Sequence, residues 1–145
     1  MVPLDYLELN LSLGIGLLGD KFYPELNPVV SLYFYDRFNR PNHKVTFLYN
    51  NQFLAERTGG GFSLRTNSFI SLFWSKNINF KGGTPSWLGI GGGFLVRRSG
   101  DYYTGKTAKF FISKDLGSGI SLTPEFYLTN DFKNFQTGIR LSYTF

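Results

Sequence analysis

The stretch NFQTGIRLSYTF, residues 134–145, decides how this chain is read. Phe135, Ile139, Leu141, Tyr143 and Phe145 fall on alternate positions, with Thr137 the exception, and Gln136, Gly138, Arg140, Ser142 and Thr144 lie between them. A period of two, oily on one parity and polar or small on the other, is a β-strand between two unlike environments. Tyr6 to Leu18 repeats the pattern more strongly. Leu7, Leu9, Leu11, Leu13, Ile15 and Leu17 alternate with Glu8, Asn10, Ser12, Gly14 and Gly16. Six aliphatic side chains on one face are not left in water. The opposite face would be charged in a water-soluble barrel, yet here it is mostly Asn, Ser and Gly, residues suited to a crowded interior.

Composition agrees. The 145 residues suffice for a single domain, taken as 1–145. Aromatic residues make up 19% and charged residues only 17%, against about a quarter charged in soluble domains. Mean hydropathy is nevertheless −0.12, and no apolar run approaches the roughly 20 residues of a membrane helix. Many oily residues without an oily run means alternation, as in a transmembrane β-barrel. No cysteine is present, so disulfide and thiol chemistry are excluded. The net charge of +5 is scattered rather than gathered on one element. That reads first as a basic surface with no specific partner and second as cations facing lipid phosphates, and nucleic acid is not expected as a partner.

Eight strands are predicted in chain order. After the first, Gly19 to Asn27 is expected to be a loop because of Asp20, Pro24 and Asn27. Pro28 to Arg37 is the second strand, with Val30, Leu32 and Phe34 outward, and Asn39 to Asn42 is a turn. Lys44 to Glu56 is the third, with Val45, Phe47, Tyr49 and Phe53 outward. Phe62 to Trp74 follows, with Leu64, Ile70, Leu72 and Trp74 outward and Phe69 and Phe73 inside. A loop over Ser75 to Ser86 leads to Trp87–Arg97, with Leu88, Ile90, Phe94 and Val96 outward and Gly89, Gly91 and Gly93 inward. Lys106 to Lys114 places Ala108, Phe110 and Ile112 outward, and Asp115 to Gly119 is a tight turn. Ile120 to Thr129 is interrupted by Pro124, where a bulge or a lost ladder bond is expected. Asn130 to Lys133 then turns into the last strand. In lipid such a sheet must close, because an open edge leaves backbone groups unpaired.

The ending resembles the C-terminal signal of bacterial outer-membrane barrels, the strand that the barrel-assembly machinery reads. Its pattern, polar-x-Gly-x-x-apolar-x-apolar, matches Gln136, Gly138, Leu141 and Tyr143, with Phe145 terminal. The whole pattern is similar to the small barrels of the OmpA membrane-domain and OmpX type. The resemblance implies an all-β, eight-stranded, antiparallel, up-and-down transmembrane barrel in a Gram-negative outer membrane. It implies outer-membrane lipids, including lipopolysaccharide, and the assembly machinery as partners, and it carries over no catalytic or cofactor-binding residue. The first residues hold no basic segment followed by an apolar core, so the sequence is expected to be a mature form. With the termini in the periplasm, loops near 19–27, 57–61, 98–105 and 130–133 would lie outside the cell, and turns near 38–43, 75–86 and 115–119 inside.

Parity puts Glu8, Arg37, Arg97, Lys109, Glu125 and Arg140 in the lumen, where buried charges must pair. The network expected from Glu8, Arg37, Arg97, Glu125 and Arg140 either locks a filled barrel or lines a narrow channel. The first is favoured, since eight strands are only wide enough to be filled by side chains. The inward apolar residues Leu48, Leu54, Phe69, Phe73 and Phe111 either fill space or form a pocket for an acyl chain. Aromatics at strand ends, such as Tyr6, Tyr35, Trp74, Trp87, Tyr103 and Tyr143, fit interfacial girdles. His43, the single histidine, is placed in a periplasmic turn, away from the outer leaflet where lipid A-modifying barrels use a His with a Ser. Gly89 to Gly93 leads into a strand, not a helix, so it is no phosphate loop. No metal-ligand spacing is present. These readings favour a structural or accessory role beside a larger outer-membrane complex, with a lipid A-modifying or lipid-binding barrel second and a narrow channel third.

Overall fold

The structure, a computed structural model, describes residues 4–19, 21–35, 41–79, 85–99, 103 and 105–145, with side chains for all of these but 4–6, 56–58 and 62. Eight antiparallel strands close into one barrel in up-and-down order. They are β1 (Leu4–Leu18), β2 (Lys21–Tyr35), β3 (Pro41–Thr58), β4 (Gly61–Asn77), β5 (Trp87–Arg97), β6 (Ala108–Gly117), β7 (Ile120–Thr129) and β8 (Asn134–Thr144). β8 closes the sheet against β1 from Ser12↔Thr144 to Leu18↔Gly138, and the Phe145 amide donates to the Leu11 carbonyl at 2.9 Å. Closure gives every strand a neighbour on both sides, which removes the edges that open sheets must protect.

Hairpin chemistry is local. Thr58 and Gly61 pair across Gly59 and Gly60, whose φ values of 43° and 102° need residues without a Cβ penalty. Ser118 and Gly119, at 55° and 80°, turn β6 into β7 in the same left-handed region. At the β7–β8 turn Asn130, Asp131 and Phe132 all have positive φ, 52°, 56° and 68°. Asn and Asp tolerate this region and Phe does not favour it. The turn is tied down by Asp131, whose Oδ1 accepts the Lys106 amide at 2.9 Å.

Several elements differ from the sequence-based expectation. Gly19 to Asn27 is not a loop. The chain reverses near Gly19, and β2 is already paired at Lys21. Pro24 and Pro28 sit inside β2 opposite Ile15 and Leu11 of β1. The strand tolerates them because its β3 ladder lapses between Leu26↔Asn51 and Val29↔Leu48, around Pro28, whose nitrogen has no hydrogen to donate. Pro124 has the same signature in β7. The β6–β7 register skips from Phe111↔Glu125 to Lys114↔Leu122, and a Thr123–Ser113 hydroxyl contact of 3.2 Å spans the gap. β4 runs on to Asn77, β3 starts at Pro41, and β6 extends to Gly117, so the connections at 75–86, 39–42 and 115–119 are shorter than expected. His43 therefore lies in β3, its ring stacked on Trp74 at 5.3 Å, and not in a turn.

Apart from one buried cluster around Phe69, the barrel's polar residues lie mostly inside and its large apolar residues mostly outside. All eight strands contribute exposed large apolar residues, from Leu7, Leu9 and Leu11 on β1 through Phe22, Phe47, Ile70, Ile90, Phe110 and Phe126 to Leu141 on β8. Leu9 is 71% exposed while Ser12, Ser31, Thr46, Asn50, Gln52, Glu25 and Glu125 are buried. Ala108 is an exception to the outward row, being buried. Its short side chain lies between Phe94 of β5 and Leu128 of β7, which shadow it.

Candidate functional site: a plugged lumen with an open vestibule

Odd positions of β1 face out, so its even positions look into the lumen, together with Tyr23, Glu25 and Asn27 of β2. The lumen has two halves. The half away from the termini is filled. Tyr103, from the β5–β6 connection, swings inward to 1% exposure and packs edge-on against Phe69 at 5.4 Å and face-on against Tyr127 at 6.0 Å. Leu18, Leu54 and Tyr23 complete this cluster. Its polar atoms are chained. Tyr103 donates to Gln52 Oε1, and Gln52 Nε2 donates to Tyr127 Oη at 2.8 Å.

Below this aromatic plug lies a charge cluster. Glu125 is its hub: Lys109 Nζ stands 3.1 Å from Oε2, Arg140 Nη1 stands 3.7 Å from the same oxygen, and Tyr23 donates to Oε1 at 2.7 Å. Arg140 makes its shorter ion pair with Glu25, at 2.9 Å. Two cations and two carboxylates thus balance where water has little access. Lys109 also lies over the Phe69 ring at 4.9 Å, a further use of the ring face. Small residues make room for the cluster. A Cβ on Gly16 would run into the Tyr23 ring, and one on Gly91 would meet the Cβ of Phe73.

The structure places the residues singled out from sequence as follows. Arg140 and Glu125 are in the cluster, and Lys109 with them. Glu8 is on the lumen side but near the termini, where it accepts hydrogen bonds from Tyr33 at 3.2 Å and from Asn10, and pairs with neither Arg140 nor Arg97. Arg97 is not in the lumen. Phe69 pairs with Leu95 but Ser68 with Arg97, so Val96 is an extra residue, and this bulge leaves Arg97 exposed at the strand end. Arg37 lies outside the described residues. Leu7, Leu9, Leu11, Leu13, Ile15 and Leu17 are exposed on the outer face, as are Leu141, Tyr143 and Phe145, with Gln136 and Gly138 half-buried on the inner parity. Trp87 and Tyr103 are lumen residues and not girdle residues; Trp74 and Tyr143 do face outward. Glu25, the main partner of Arg140, was hidden by the loop reading of 19–27, although Tyr23, Glu25, Asn27 and Val29 keep a strict period of two.

The half nearer the termini is hollow. A vestibule of about 380 Å³ opens there and ends at Arg140 and Asn27. Its wall carries Ser12, Ser31, Thr46, Ser75, Thr123 and Ser142, with Lys44, Glu8 and Asp115 nearer the mouth. Val29, Leu48, Phe73 and Trp87 add an apolar share to this wall, with Val29 and Leu48 paired across β2 and β3. Among the described residues no group of three His, Cys, Asp or Glu side chains could hold a metal ion.

No protein-family model matches the chain, and no curated protein matches it. Among solved structures, one described as "De novo design of transmembrane beta-barrels" is similar over 100% of both chains, at 12% identity and a TM-score of 0.39. Similarity this distant concerns the course of the backbone and carries no functional argument.

Proposed function

We propose that this chain is an integral barrel of a bacterial outer membrane, with a structural or accessory role as a partner of a larger membrane complex. The supporting observation is the apolar belt contributed by all eight strands around a polar, paired interior. Soluble proteins seldom expose contiguous apolar patches beyond a few hundred Å², and this belt runs around the whole circumference. Strands of 10 to 18 residues are long enough to cross a hydrocarbon layer at a tilt. In this reading Gln136, Gly138, Leu141, Tyr143 and Phe145 serve as the assembly signal, and the outer lipids, lipopolysaccharide included, contact the Leu7–Leu17 row. The packed plug and the neutralised cluster favour a stabilised scaffold over a conducting pore.

The membrane assignment is tested by refolding the denatured chain with and without lipid vesicles. Folded, protease-resistant barrel is expected only with vesicles, and a folded monomer in plain buffer would refute the assignment. The accessory role is tested by cross-linking in gently solubilised membranes. A partner recovered in stoichiometric amount is expected; recovery of the barrel alone argues against it.

A further inference from the structure

We propose that the vestibule is a carbohydrate-binding site, taking one or two pyranose rings through the end of the barrel that carries the termini. The inference stands on the cavity and is independent of the accessory role. At about 380 Å³ the cavity falls within the usual range of ligand pockets. Two side chains at its inner end keep unused donors: Nδ2 of Asn27 and Nε of Arg140 have no hydrogen-bond partner, though the residues are only 1% and 4% exposed. Oε1 of the adjacent Glu25 is an unused acceptor. Buried polar groups are generally satisfied, so two leftover donors on residues at the inner end of a cavity point to a ligand.

The chemistry of the wall selects the ligand class. An acyl chain needs a continuous apolar surface, and here Val29, Leu48, Phe73 and Trp87 share the wall with serine and threonine hydroxyls, a mixture that suits a sugar's C–H faces and hydroxyls together. A simple anion needs excess positive charge, and Lys44 and Arg140 share the cavity with Glu8 and Asp115. A hydroxyl both donates and accepts. A ligand made of hydroxyls therefore matches the unused donors of Asn27 and Arg140 and a wall whose hydroxyls can play either part. At the mouth Trp87 lies edge-on to Tyr33 at 5.7 Å and carries Lys44 Nζ over one ring face at 4.6 Å, so the C–H face of a sugar ring would lie on the opposite face of the indole.

The test uses the full chain refolded in a zwitterionic detergent that contains no sugar. Trp74→Phe leaves Trp87 as the one indole, since the chain has 2 Trp. Its fluorescence is titrated with glucose, N-acetylglucosamine, maltose and chitobiose, each to about 50 mM, a range that captures dissociation constants near 1 mM. A saturable change with at least one sugar is expected. In the same background Asn27→Leu should weaken it about tenfold, and Ser142→Phe, which fills the cavity, should abolish it. The two variants are independent, so either one that folds decides the matter. Absence of a saturable response to every sugar, an unchanged response in a folded Ser142→Phe barrel, or saturation by phosphate or acetate with the sugars silent would each overturn the proposal.

Discussion

Replacing Glu125 by Gln keeps the shape of the side chain and removes one charge from a cluster that is otherwise neutral. Glu125 is 0% exposed and lies 3.1 Å from Lys109, itself 0% exposed, and 3.7 Å from Arg140. At an effective dielectric near 20, attraction between unit charges at 3.1 Å is about 5 kcal/mol. Desolvation of both groups offsets much of this in the intact protein. The variant keeps the desolvation of Lys109 and loses the attraction, so its cost resembles that of breaking a buried pair, about 3–5 kcal/mol. Removing both charges, as Glu125→Gln with Lys109→Met, should recover most of that loss, because no unpaired charge then remains. Urea unfolding of the refolded barrel, followed by tryptophan fluorescence, gives all four corners of the cycle. A loss below about 1 kcal/mol for Glu125→Gln, or a double variant whose loss is the sum of the two single ones, would refute the picture of a dry, charge-balanced cluster.

Other outcomes follow from the same geometry. Leu11→Arg, on the outer row near the middle of β1, should cost roughly 2–4 kcal/mol in bilayers, whereas Ser12→Arg should fail through crowding of the vestibule; refolding yields in vesicles of each compared with wild type separate the two. Gly91→Ala, whose methyl would overlap Phe73 and the Leu72 carbonyl, should destabilise by about 1–3 kcal/mol in urea unfolding. His43→Ala should lose only its stacking on Trp74, about 0.5–1.5 kcal/mol, and leave the barrel folded by circular dichroism. Planar-bilayer recordings of the unaltered protein should show no steady conductance, since the Tyr103–Phe69–Tyr127 plug interrupts the wet path; ion-selective single-channel steps would show that the plug opens.

Alternation carried most of the fold into the sequence. The limits of β5 and β7 coincide with the segments expected from pattern alone, because each is bounded by turn residues. The inward setting of Phe69, Leu48 and Leu54 was legible from the alternation itself. Proline misled where it sat on an otherwise regular strand. Pro24 read as a breaker and Pro28 as the start of the strand, yet both fall on the outward parity with Phe22 and Val30, and the ladder on the β3 side gives way around Pro28. That one misreading concealed Tyr23, Glu25 and Asn27, and with them one of the four charges of the cluster and part of the vestibule. The bulge that turns Arg97 out has no signature in composition or spacing. Trp87 and Tyr103 were ambiguous for a different reason. A girdle and a plug both place an aromatic ring near a strand end, and only the three-dimensional course of the chain says which way the ring points.

The central claim is that one face of every strand meets lipid while the other meets a polar, partly filled lumen. Single cysteines placed in turn at residues 7 to 17, in a chain that has 0 Cys of its own, and carrying a nitroxide label, test it most directly. In lipid vesicles the account predicts that collision with dissolved oxygen rises at Leu7, Leu9, Leu11, Leu13, Ile15 and Leu17 and falls at the residues between, with a period of two. A profile without that alternation, or one in which the odd positions are reached by a water-soluble relaxant instead of by oxygen, would contradict it.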